Sequence, residues 1–78
     1  MRVLFKDEID DVLHVVEVVD VTYDSAEGRL YLYLPGEIED ASFESETLLI
    51  DEAEKIIRDL FTHGSVDLSN IRFNDLSE

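Results

Sequence analysis

A chain of 78 residues makes one small domain, 1–78, with no room for a second core and, at this size, a core that a partner or a second copy often completes. Twenty acidic residues against six basic ones give a net charge of −14, which argues against direct nucleic-acid binding and against docking on an anionic membrane. The absence of cysteine excludes a disulfide framework, a thiol nucleophile and a cysteine-based metal site.

Met1 to Lys6 is too short an apolar stretch for a signal peptide, and Asp7, Glu8, Asp10 and Asp11 follow at once. No apolar run approaches the ~20 residues that span a bilayer. The cytoplasm is therefore the expected compartment.

RVLFK (Arg2 to Lys6) alternates and predicts a short strand, and DEIDD predicts the first turn. Val12 to Asp24, VLHVVEVVDVTYD, is rich in β-branched residues and apolar on both sides, as a central strand is. DSAEG (Asp24 to Gly28) then predicts a turn into RLYLYL, with Gly28 supplying a positive φ.

The hairpin register follows from its faces. Pairing Tyr23 with Leu30, Val21 with Leu32 and Val19 with Leu34 makes one apolar face; Asp24 with Arg29, Thr22 with Tyr31 and Asp20 with Tyr33 make the other. Extending that phase backwards sets Val3 and Phe5 opposite Val15 and Leu13, a meander of three antiparallel strands. Glu17 then falls in phase with Val15 and Val19, the core side, which predicts a bulge or a gap in the cover there.

Pro35-Gly36 predicts a type II turn that stops the third strand, and EIEDASFES holds a short edge strand around Ala41 to Glu44. From Glu46 to His63 the period becomes helical, with Leu49, Ala53, Ile56, Ile57, Leu60 and Phe61 on one stripe. Ser45, or Asp51 with Glu54, is placed to cap its start, and Gly64 marks its end. The tail from Ser65 carries Val66, Leu68, Ile71, Phe73 and Leu76, which predicts a segment packed back as a short strand or a strap. The expected fold is thus α+β: an antiparallel meander of three to four strands, one amphipathic helix on one face and a packed C-terminal segment.

The face away from that helix would carry Leu4, Val12, His14, Val16, Val18, Tyr31 and Tyr33, more apolar than a solvated sheet face usually is. Tyrosines are enriched at interface centres, because the ring buries area at low entropic cost. The tail, a second copy or a foreign partner would cover them. Candidate contact residues are Asp20, Asp24, Tyr31, Tyr33, Glu37, Glu39 and Asp40.

Catalytic chemistry finds little support. Carboxylate pairs arise by chance among twenty acids, DEIDD lacks the spacing of a calcium-binding loop, and the serines and glycines form no nucleophile or phosphate motif. His63 suits the last turn of a helix and His14 a strand, neither needing a catalytic role. No enzyme activity, metal or cofactor is expected.

Small, cysteine-free, strongly acidic α+β chains resemble a class of phage-encoded inhibitors, including anti-CRISPR proteins and DNA mimics that place carboxylates where a target expects phosphates. The stretch SFESETLLIDEAEKIIRDLFTHG is similar to part of one anti-CRISPR type; it covers under a third of the chain and assigns no residue a role. The resemblance implies a non-enzymatic protein-binding module of a phage or mobile element that occupies a basic, nucleic-acid-binding site of a larger protein. The alternative is a small assembly domain that forms a homodimer through Tyr31 and Tyr33. A third reading takes the acidity as adaptation to a high-salt cytoplasm.

Overall fold

The computed structural model of the chain describes residues 1–36 and 40–76. Among these, six strands form one mixed sheet: β1 (Arg2–Asp7), β2 (Leu13–Glu17), β3 (Asp20–Asp24), β4 (Arg29–Tyr33), β5 (Phe43–Ser45) and β6 (Ser65–Asp75). A single helix, α1 (Ile50–His63), lies between β5 and β6 in the chain. The α+β class holds, but the sheet is not a meander of three or four strands.

The strand order is β2-β1-β6-β5-β4-β3. Its two edges, β2 and β3, are consecutive in the chain and joined only by Val18 and Val19. Successive amides at that joint reach opposite ends of the order: the Val18 N–H donates to the Met1 carbonyl (2.7 Å) and the Val19 N–H to the Tyr33 carbonyl (2.8 Å). The sheet therefore curls so that its two edge strands meet at this joint, and the molecule is nearly isotropic, 28 × 24 × 23 Å.

The valine-rich stretch is thus two edge strands rather than one central strand. Its pairing with β1 also differs from the expected register by one residue: Val3 lies opposite Val16 and Phe5 opposite His14. Even-numbered residues of β2 face inward, odd-numbered residues of β3 do, and the phase switches between Val18, which is buried, and Val21. The switch resolves the position of Glu17. Continuing the odd phase would bury a carboxylate at a cost of several kcal/mol (about 1–3 even for a neutral polar group); instead Glu17 lies on the outer surface, accepting from Arg2 Nε at 3.2 Å. Val19, expected to pair inward with Leu34, is exposed.

The β3–β4 hairpin keeps the register its faces demand, from Asp20 opposite Tyr33 to Asp24 opposite Arg29. Asp24 Oδ1 accepts from the Ala26 amide at 2.8 Å, building the turn, and Gly28 closes it at φ 72°. The turn at Pro35-Gly36 follows β4 as expected. The short strand near Ala41–Glu44 exists as β5, but inside the sheet, between β4 and β6, rather than at an edge.

The tail is the largest departure. It forms an 11-residue central strand, β6, parallel to β1 and antiparallel to β5. Between the partners of Phe5 and Lys6 the register jumps from Leu68 to Arg72, so β6 bends there and still buries Leu68, Ile71 and Phe73. Phe5 sits at the centre of the core, with ring centroids 5.0 Å from Phe43 and 4.8 Å from Phe73.

The helix begins at Ile50, not Glu46, because the preceding residues are held extended by the β3–β4 hairpin. Leu48 donates its N–H to the Gly28 carbonyl (2.7 Å), and the Tyr23 hydroxyl donates to the Leu48 carbonyl (2.9 Å). Neither expected cap forms. Ser45 is buried in β5, where Oγ accepts from the Leu30 amide and donates to the Glu46 carbonyl, while Glu52 Oε1 accepts from the Leu49 amide at 3.4 Å. Gly64 ends the helix in the left-handed region as predicted. Ala53 and Leu60 carry its packing, while Leu49 and Phe61 of the stripe remain exposed.

Candidate functional site

The outer surface of β3 and β4 is built by strict alternation. With Val21, Leu30 and Leu32 committed to the core, Thr22, Tyr31 and Tyr33 must project outward. The inner leucines fix the tyrosines; burial of each leucine contributes about 1.5–3 kcal/mol.

Beyond this surface lies an open groove of about 790 Å³, lined chiefly by Asp24, Tyr31, Tyr33, Asp40 and Leu76. Four of the seven expected contact residues thus share one concavity. Asp20 lies opposite Tyr33 at the end of the same strand face, although it does not line the groove. Glu37 and Glu39 lie outside the described residues.

Each tyrosine hydroxyl has an acceptor or donor beside it. Tyr31 donates to Glu27 Oε2 at 3.0 Å, and the Tyr33 hydroxyl lies 3.4 Å from Thr22 Oγ1. Partial desolvation, that hydrogen bond, and the negative charges of Glu27, Glu44 and Asp24 push the Tyr31 pKa up to about 12. The floor of the groove is thus aromatic and neutral while its surroundings are anionic.

Glu27 and Glu44 were not among the expected contact residues. Glu44 comes beside Tyr31 through the β4–β5 pairing, and Glu27 through the turn that Gly28 closes. The amphipathic alternation of the hairpin carried the signal for the tyrosines; long-range pairing carried that for Glu44.

Among the described residues the tail does not lie across the tyrosines: Leu68, Ile71 and Phe73 enter the core from β6, and Leu76, just beyond that strand, lines the groove. The expected continuous face of Leu4, His14, Val16, Val18 and the tyrosines is not formed either, since Val18 is buried and His14 and Val16 face inward with it.

At the β1–β2 turn, Asp7, Asp10 and His14 each bring one donor atom within 4.8 Å of the others. His14 Nε2 lies 3.8 Å from Asp7 Oδ2 and has no hydrogen-bond partner among the described residues, while its ring stacks on Phe5 at 5.7 Å. These are the residues best placed to hold a cation. Asp10 is exposed, so the set is open to water on that side, whereas His14 Nε2 itself is buried. Asp11, at φ 59°, turns away from this group to pair with Arg72.

No helix among the described residues is long and apolar enough to cross a membrane. Comparison of the chain with protein-family models, with curated proteins and with solved structures found no match.

Proposed function

We propose that the chain is a non-enzymatic binding module whose β3–β4 groove receives a cationic segment of a larger protein. The observation that carries this reading is the pairing of an aromatic floor, Tyr31 and Tyr33, with carboxylates at Asp24, Asp40, Glu27 and Glu44. An arginine fits such a surface best, because its guanidinium plane stacks on a phenol ring while its edge meets carboxylates. The net charge of −14 would speed the encounter with a basic surface.

In its fuller form, the partner's basic surface is a nucleic-acid-binding cleft, which the module blocks by placing carboxylates where phosphates would lie. The resemblance to phage-type inhibitors supports that form. The alternative homodimer through the tyrosines is disfavoured, since it would set Asp24, Glu27 and Glu44 of two copies on facing surfaces.

The test is an amide chemical-shift titration with an oligoarginine peptide and with an oligolysine peptide of equal charge, at low and moderate salt. Shifts concentrated on β3, β4 and Leu76, tighter binding of the arginine peptide, and weakening by Tyr31→Ala/Tyr33→Ala support the reading. Equal binding of both peptides, spread over the surface and indifferent to the double substitution, would falsify it.

A further inference from the structure

The outer edge of β2 is a strand edge with nothing paired to it among the described residues. Val18 and Met1 exchange backbone hydrogen bonds, and Asp7 donates to the Val12 carbonyl. Antiparallel alternation therefore turns the N–H and C=O groups of the even-numbered residues toward β1 and those of Leu13, Val15 and Glu17 outward. The side chains at these odd positions also face solvent, with Val15 63% and Leu13 53% exposed, and Ile9 and Val12 extend the apolar surface. Proteins usually guard such an edge with charge, proline or a covering segment.

We propose that this edge pairs with the same edge of a second copy, antiparallel about a two-fold axis at Val15. The register is self-complementary. Val15 meets Val15 and Leu13 meets Glu17, so every outward N–H and C=O of the three residues finds a partner. On the outer face, Leu4 flanks Val15 and the central row becomes apolar from one copy to the other. Lys6 lies beside Leu13 and Arg2 beside Glu17. Each Glu17 thus sits between its own Arg2 and, beyond the facing Leu13, Lys6 of the second copy, and no like charges are opposed among the paired residues Leu13 to Glu17.

The charge pattern of this edge also fits a second copy. Two chains of net charge −14 repel over most of their surface. On their outer face the paired residues of β1 and β2 instead carry Arg2 and Lys6 against Glu17, with the acids of the turn, Glu8, Asp10 and Asp11, lying beyond Leu13, so the contact centred on Val15 brings like copies together with little repulsion. The tyrosine groove lies on β3 and β4, at the other end of the strand order, so pairing through β2 leaves it open.

The experiment measures solution mass over a wide concentration range at moderate salt, for the wild type and Val15→Lys. The expected result is a wild type that reaches twice the chain mass and a variant that stays monomeric with unchanged far-UV circular dichroism, because the substituted side chain faces solvent. A second variant, Val15→Cys, places the sole thiol of the chain on the axis. Paired strands hold opposed Cα atoms about 5.5 Å apart, within the disulfide range of about 4.4–6.8 Å. It should oxidise to a covalent dimer faster than an Ala26→Cys control. A wild type that is monomeric throughout, a dimer that Val15→Lys leaves intact, or equal oxidation of the two cysteine variants would each overturn the proposal.

Discussion

Tyr31 and Glu27 are joined across the β3–β4 turn by a 3.0 Å hydrogen bond in which the phenol is donor and the carboxylate acceptor. The bond holds only while the phenol is protonated, so it adds to the desolvation that pushes the Tyr31 pKa from 10.0 to about 12. The expected outcome is a late phenolate transition in an ultraviolet titration, absent from Tyr31→Phe. Glu27→Gln should lower that pKa part of the way, leaving the contributions of burial and of the Glu44 and Asp24 charges. Since the folded pKa is the higher one, the folded state holds the proton more tightly. The stability linked to Tyr31 is present below pH 10.0 and is lost as pH rises toward about 12. Denaturant midpoints across that range should fall more steeply for the wild type than for Tyr31→Phe.

Ser45→Ala tests a buried polar junction. The hydroxyl accepts from the Leu30 amide at 2.9 Å and donates to the Glu46 carbonyl at 2.7 Å, deep between β4 and β5. Removing it strands a buried N–H, and the expected loss is about 1–3 kcal/mol in urea unfolding. Ser42→Ala, whose hydroxyl accepts from Leu34 at the longer distance of 3.4 Å, should cost less.

Phe5→Ala should be close to the limit of what the fold tolerates. The ring is fully buried and meets Phe43, Phe73 and His14, so the substitution opens a cavity shared by β1, β2, β5 and β6. The expected cost is about 3–5 kcal/mol by chemical denaturation, a large part of the stability of a small domain.

Gly28→Ala and Gly64→Ala should separate backbone strain from crowding. Both positions have φ in the left-handed region, at 72° and 76°, where alanine costs about 1–2 kcal/mol. A Cβ at Gly64 meets nothing within 4 Å, whereas at Gly28 it would lie 3.2 Å from Thr47 Cγ2 and 3.4 Å from the Leu48 carbonyl. Gly28→Ala should therefore lower the melting temperature more, and it should also loosen the Leu48 tether that delays the helix.

The β3–β4 hairpin was legible because its alternation is unambiguous: Asp20, Thr22 and Asp24 oppose Tyr33, Tyr31 and Arg29, and a one-residue slip would waste the leucines. The β1–β2 register was not, since Val15 and Val16 offer equally good inward residues and only Glu17 breaks the tie. The helix end at Gly64 was local and visible; its start was hidden, because the bonds holding Leu48 come from Gly28 and Tyr23. β6 carried the weakest signal, as its alternation is interrupted at Ser69 and Asn70 and its parallel partner is more than sixty residues away (Arg2 opposite Ser65). At the groove, Asp24, Tyr31, Tyr33 and Asp40 were within reach of the sequence, while Glu27 and Glu44 arrived through the turn and through β5.

The placement of β6 has a consequence for the chain during synthesis. The two hairpins, β1–β2 and β3–β4, are complete once residue 33 has been made, yet β6 must still insert between β1 and β5 to join them. Until residues 65–75 emerge from the ribosome, the hairpins expose Phe5, Leu30 and Leu32 with no central strand to unite their faces. Cooperative folding is thus deferred until Ser65–Asp75 have emerged, and a nascent chain stalled before Ser65 should be protease-sensitive throughout rather than half folded.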